Sequence, residues 1–334
     1  MPLENFGVRN IPAETRLEST HSLRLFTKGL PAGRGNTAGL ERPTEKARLI
    51  PSTNYTVSRI LDHLETFYDA LVAGRHFALT RYGDGEAAIL QGKELEAIGT
   101  NRPWCWRPSQ GIGDATFSRE LSQALDCFDE NYCVGISCPC CGPADYSYYV
   151  NRVGSARLQR QVTYANLFSN GAWKYLKARI VNVITGTRRR VVLVTHWDKD
   201  FTLARSILSA NPVEVLAVGA QGYDGAGTFR GGAVRWYCAE RAALKRRFNA
   251  FASSLADAIF LVQAGPLANV LIHQMFLTNP RNTYVDVGHS LDPILYGKPS
   301  RLFHTREDAL PLCADMDIDW SRDFLCGKSQ AEPD

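Results

Sequence analysis

The feature that most constrains this 334-residue chain is an alternation of two periodicities. Short apolar runs at residues 76–79, 132–137, 190–195, 213–218, 258–263 and 283–287 are separated by stretches whose apolar residues recur at helical spacing. The run Val191-Val192-Leu193-Val194 is continuous rather than alternating, as in strands covered on both faces. Strand followed by helix, repeated, predicts an α/β fold: a Rossmann-like, mainly parallel sheet of about six strands with helices on both faces. In open sheets of this kind ligands gather beyond the carboxyl ends of the strands, where helix N-termini favour anions. The residues at those ends are therefore the functional candidates.

The first such end is Arg81-Tyr82-Gly83-Asp84-Gly85-Glu86, between the 76–79 run and a helix beginning near Glu86. Gly83 and Gly85 permit positive φ and close backbone approach, which would let Asp84 and Glu86 project over the helix start. Two carboxylates there suit a divalent metal bridging a diphosphate, with Arg81 reaching the same phosphates. The plainer reading is a strand-to-helix turn with Asp84 as N-cap and Glu86 in the first turn. Spacing leaves both open.

Other strand ends carry Asp198, Asp286 and His289, each a candidate for a general base, with Asp286 supporting His289. Helix capping by Asp198 and a hydrogen-bonded loop role for His289 are the ordinary alternatives. Cys138-Pro139-Cys140-Cys141 lacks the separated C-x₂-C knuckles of a structural zinc site, so buried or loop thiols are expected. Its place beyond a second strand would bring Asp145, Tyr146, Tyr148 and Tyr149 towards the first corner. Trp104 and Trp106, flanked by Arg102 and Arg107, either stack on a base or sugar or pin a buried loop. Helices are expected over residues 56–74, 115–130 with Asp114 as cap, 171–185, 232–255 and 267–277, the last with Pro266 at its first position. Asn166 and Asn170 either line a cleft or cap helices. The glycine-rich stretch 219–227 lacks a dinucleotide fingerprint in register and reads as a loop over the acceptor side.

Composition narrows the partners. A net charge of +4 with scattered basic residues does not call for nucleic acid. The triplet Arg188-Arg189-Arg190 suits a helix C-terminus, and Lys245-Arg246-Arg247 reads as a solvated helix face. No apolar run approaches the ~20 residues of a membrane span, and the first residues lack a secretory h-region. These features lead us to expect a cytoplasmic protein with no transmembrane segment, with peripheral membrane contact left open and its nine cysteines reduced.

The hexapeptide Arg81-Tyr82-Gly83-Asp84-Gly85-Glu86 resembles the R-[FY]-G-D-G-E motif of the GT-D-type glycosyltransferases. Leu261-Val262-Gln263-Ala264-Gly265-Pro266-Leu267-Ala268 and Tyr284-Val285-Asp286-Val287-Gly288-His289 are similar to downstream patterns of that family, in the same order. The resemblance implies transfer of a hexose from a nucleotide diphosphate sugar, uridine-linked by preference, to a glycan hydroxyl. It implies that Asp84 and Glu86 serve Mn²⁺ or Mg²⁺ and that Arg81, Gly83 and Gly85 lie on the donor side. The expected organisation is a lead-in arm over residues 1–51, partly disordered, a catalytic domain over 52–298 and an irregular, solvated tail over 299–334. Two other classes fit the alternation: a module that binds sugar nucleotides or phosphoglycans without turnover, and a Rossmann-type methyltransferase, which needs no metal pair.

Overall fold

A computed structural model describes residues 8–10, 57–94, 106–137, 143–158, 162–168, 179–180, 182–184, 186–196, 213–218, 232–293, 304 and 317–319. Its strands are β1 (Val8–Asn10), β2 (Val57–Arg59), β3 (Ala78–Tyr82), β4 (Tyr132–Ile136), β5 (Val162–Tyr164), β6 (Val191–His196), β7 (Val213–Val218), β8 (Ile259–Gln263), β9 (Thr283–Asp286) and β10 (Asp317–Asp319). The principal helices are α1 (Ile60–Val72), α2 (Asp84–Leu90), α3 (Ala115–Leu125), α4 (Pro143–Leu158), α5 (Gly232–Ser254) and α6 (Pro266–Thr278). Among the described residues no helix is long and apolar enough to cross a membrane.

The main sheet has the order β1-β7-β6-β8-β9-β3-β4-β5. Every neighbouring pair from β7 to β5 is parallel, and β1 is an antiparallel edge. The expected parallel α/β architecture is thus present, one parallel strand wider than the six apolar runs imply. The additional strand is β5. It is three residues long, which leaves too few alternations to register as a pattern.

Register shows that helices cover both faces. Ala78, Tyr132 and Tyr284 are register partners and share a face, as does Phe260. Tyr132 meets Phe276 of α6, Phe260 meets Phe251 of α5, and the Tyr82 hydroxyl donates to Leu121 O of α3 at 3.0 Å. Phe77, one residue out of phase, points the other way onto Phe67 of α1. On that same face Thr163 bonds His63, also from α1, at 2.8 Å.

Several expected boundaries move. α3 is capped by Asp114, which accepts from the Phe117 amide at 2.8 Å, but it ends at Leu125 instead of near Glu130. Phe128 consequently stands exposed rather than on its apolar face. Asp145, Tyr146, Tyr148 and Tyr149, expected near the first corner, lie on α4. Part of the expected N-terminal arm forms β1, and the Asp-Ile-Asp of the expected tail forms β10, antiparallel to β2.

The basic triplets also do more than decorate helix ends. Arg189 is buried. It donates to Ala258 O at 3.3 Å and Thr283 Oγ1 at 2.7 Å and pairs with Asp257 at 2.8 Å. Thr283 in turn donates to Arg75 O at 2.9 Å. Together these bonds tie β6, β8, β9 and the lead into β3 at their amino ends. Lys245 is bonded to Glu120 of α3, and the neighbouring Arg241 pairs with Asp114 at 2.6 Å, so this face of α5 is a helix contact.

Candidate functional site

Strand order locates the crevice. From β3 the chain winds outward through β4 and β5, whereas β9, the last parallel strand, lies on the other side of β3. This is a switch point, the place where open parallel sheets leave room for a ligand. The ladder from β3 to β9 reaches Leu79↔Val285, whereas that from β3 to β4 continues to Tyr82↔Ile136. Beyond Leu79 the β3–β9 ladder ends, and a side chain reaches Arg81's backbone N–H and C=O. Asn269, fully buried on α6, takes both: its Oδ1 accepts from Arg81 N at 3.0 Å and its Nδ2 donates to Arg81 O at 2.8 Å. A side-chain amide carries a donor and an acceptor side by side and so matches both groups of a peptide at once.

On the β3 side, α2 begins at Asp84 with Gly83 as N-cap, so Asp84 occupies the first helical position rather than the cap. Glu86 reaches back, its Oε2 accepting from the Gly83 amide at 2.9 Å, and Asp84 Oδ1 accepts from Gly85 N at 2.9 Å. Gly83 is extended (φ −102°, ψ −157°) and Gly85 is helical, so neither uses the positive φ expected of them. Both acids are thus held by backbone amides of the turn.

These two acids differ. Asp84 is exposed, whereas Glu86 is mostly enclosed. Burial pushes the Glu86 carboxyl up to about 7, with the Asp286 and Asp84 charges adding and the Gly83 and Glu86 amides opposing. Asp286, at the end of β9, is raised to about 6, again first by burial, with Arg81, the Gly288 amide and His289 opposing. Asp145 is raised by burial and then by Asp84. Tyr149 donates to Gly83 O at 2.7 Å, and its hydroxyl is raised by burial and then by Glu86. Carboxylates from β9, α2 and α4 thus share one electrostatic neighbourhood, as expected for Asp145 and Tyr149 if β3 and β4 were neighbours.

Arg81 is built into this corner. Its Nε donates to Ala165 O, and its Nη1 lies 2.2 Å from where a Cβ on Gly288 would stand. Gly288, at φ +51°, is the glycine the corner requires on both counts, space and conformation. Its amide donates to Asp286 Oδ1 at 2.8 Å.

His289 acts electrostatically on Asp286, its expected partner, and meets a second acid by hydrogen bond. Its Nδ1 lies 3.0 Å from Asp292 Oδ2. Asp292 is buried, and its Oδ1 accepts from Gln263 Nε2 at the end of β8. Asp292 and Gln263 are the residues that spacing did not single out. The His–Asp i,i+3 interval was the available signal, and Gln263 carried none. Gln263 Oε1 is buried with no hydrogen-bond partner among the described residues.

The crevice therefore gathers Arg81, Gly83, Asp84, Gly85, Glu86, Asp286 and His289. Asp198, Cys138, Cys140, Cys141, Trp104, Asn170 and the side chain of His196 lie outside the described residues. Trp106 is not a stacking platform: it is buried against Phe117, its ring filling the space a Cβ on Gly113 would need. Asn166 is buried in the 3₁₀ turn Ala165–Phe168 after β5.

Among the described residues no set of three or more His, Cys, Asp and Glu side chains is arranged to hold a metal ion. A Mg²⁺-type site needs fewer, because such ions take one or two carboxylates and complete their shell with substrate phosphates and water. The two carboxylates Asp84 and Glu86, close together in an acidic corner where burial and neighbouring charges hold Glu86 up, are of that donor type.

No family model matches the sequence, and no curated protein matches it. Two solved structures are similar in chain path. One, described as "The highly conserved domain of unknown function 1792 has a distinct glycosyltransferase fold", gives a TM-score of 0.45 at 12% identity over 84% of this chain and 99% of that one. The other, a selenomethionine-substituted structure of domain of unknown function 1792, gives 0.41 at 13% identity over 68% and 77%.

Proposed function

We propose that this protein is a metal-dependent glycosyltransferase that moves a hexose from a nucleotide diphosphate sugar, by preference a UDP-sugar, to a glycan hydroxyl. The observation that carries the reading is the adjacency of β3 and β9, which sets the acids of the Arg81–Glu86 corner beside Asp286 and His289 at the switch point. Asp84 and Glu86 would hold Mn²⁺ or Mg²⁺, which when bound supplies positive charge to the diphosphate leaving group. Tyr149 and the Gly83 amide hold the corner in place. Asn269 fixes the end of β3 where it parts from β9. A group on the β9 side, Asp286 or His289, takes the proton of the acceptor hydroxyl.

The test is incubation with Mn²⁺ and a panel of sugar nucleotides, followed by release of the nucleoside diphosphate and by the donor-induced rise in Tm. Turnover with one sugar nucleotide is expected, and Asp84→Ala should lower it by about 100-fold or more, as loss of a charge-stabilising group does. Absence of both binding and hydrolysis across the panel, with Asp84→Ala indistinguishable from the parent, would sink the enzymatic reading. Tight metal-dependent binding without turnover would move the protein to the class of binding modules.

A further inference from the structure

We propose that Asp292 is the positioning residue that makes His289 the proton acceptor of this site, with Gln263 anchoring Asp292 in turn. The substrate in this proposal rests on the transferase reading above; the pairing rests on geometry alone.

Both oxygens of Asp292 are used. Oδ1 accepts from the Gln263 amide nitrogen and Oδ2 faces His289 Nδ1 at 3.0 Å. An ionised carboxylate only accepts, so the hydrogen of this bond belongs to the imidazole and Nδ1 is its donor. In the neutral ring the remaining lone pair then sits on Nε2, the nitrogen away from Asp292. Burial matches this polarity: the Asp292 side chain is 4% exposed and that of His289 25%, so the ring runs from a dry anchor towards solvent.

A His–Asp pair three residues apart in a turn is often no more than a staple. Here the anchor extends to a second strand, because Gln263 ends β8 and Asp292 follows β9. The ring also stands within electrostatic reach of Asp286, itself under the influence of Arg81 and linked by Glu86 to the acidic corner. Asp286 is the weaker candidate for the same task. Its Oδ1 is occupied by the Gly288 amide, it is more deeply buried than His289, and a guanidinium faces it.

In the step assigned to His289, the acceptor hydroxyl oxygen forms a bond to the anomeric carbon. The bond from that carbon to the diphosphate oxygen breaks, and its electron pair leaves on the diphosphate. The hydroxyl proton passes to Nε2. The resulting imidazolium is stabilised by Asp292, which keeps its own charge.

Asp292→Asn tests the assignment. The asparagine can turn its NH₂ towards Nδ1, which then has to accept and shifts the hydrogen to Nε2. Long-range ¹H–¹⁵N spectra of histidine-labelled protein should show the Nδ1–H tautomer for His289 in the parent and the Nε2–H tautomer in the variant. Turnover should fall by about 10²- to 10⁴-fold with donor KM within a few fold, the range for losing a general base. Asp292→Glu, which keeps the acceptor, should recover part of kcat. An Nε2–H tautomer in the parent overturns the proposal, as does kcat within twofold of the parent for both Asp292→Asn and His289→Gln. If the parent turns over no sugar nucleotide at all, the transferase reading fails instead, and the tautomer still decides the pairing.

Discussion

Glu86 and Asp286 carry the most informative chemistry of single residues here. Both are acids raised by burial, from 4.5 to about 7 and from 3.8 to about 6, so folding costs more when they are charged. The sign follows directly. Their contribution to stability is complete below the unfolded values and is lost as pH rises through the folded ones. Metal-free protein should therefore have a Tm that falls between about pH 5 and pH 8. In Glu86→Gln that slope should flatten by on the order of 2 kcal/mol, allowing for partial solvent contact. Added Mn²⁺ should restore Tm at pH 8 in the parent and not in Glu86→Gln. A thermal melt across the pH series reads all of this, and a flat parent profile would contradict it. The acids themselves were legible as a spacing, because Asp84 and Glu86 lie on one short turn. Which of their oxygens are taken was not, because that depends on Gly83 acting as the cap. The anchor of Asp292 was not legible either, since Gln263 reaches it from β8, far off in the chain.

At the scale of elements, α6 is the piece that makes the crevice possible. Its Pro266 sits at the first helical position, as expected, and Gly265 at φ 55° turns the chain into it. The helix then delivers Asn269 to the point where β3 and β9 separate. Asn269→Leu keeps the volume but removes the acceptor and the donor that Asn269 offers to the part-buried Arg81 backbone, each worth about 1–3 kcal/mol. A loss of roughly 2–4 kcal/mol in urea unfolding is expected, together with weaker donor binding. Asn269→Leu with stability within 0.5 kcal/mol of the parent would show that the clamp is dispensable. Nothing in the sequence marked this residue. An asparagine inside an apolar helix can serve any backbone gap, and only the end of the β3–β9 ladder says which. The strands themselves were easier: β6, β7 and β8 are buried runs with sharp ends, whereas β5 and the two marginal pairings at β1 and β10 are too short for periodicity to show.

At the scale of the molecule, the two ends of the sheet do opposite work. The carboxyl ends carry the acids and the crevice, and the amino ends are fastened by Arg189, Asp257 and Thr283. Asp257 itself takes φ 58°, a conformation aspartate tolerates better than most residues, and its carboxylate also meets His76 at 3.0 Å. Arg189→Ala should lower stability by roughly 2–3 kcal/mol, mainly through unpaired carbonyls since Asp257 is solvent-screened. Donor affinity of the folded protein should remain unchanged, because the rivet is remote from the crevice. Chemical unfolding alongside calorimetric titration separates the two effects.

Local features were legible in the sequence: the alternation of strands and helices, the acidic turn after β3, and the Asp-Val-Gly-His corner at the end of β9. Each follows from periods of 2 and 3.6 or from neighbours within a few residues. Adjacency came from packing. That β9 lies against β3, that Asn269 fixes the end of β3 and that Gln263 holds Asp292 are consequences of how faces are buried across the whole sheet. Burial of a shared face acts between residues distant in the chain, so it leaves no mark on the local pattern of any one segment.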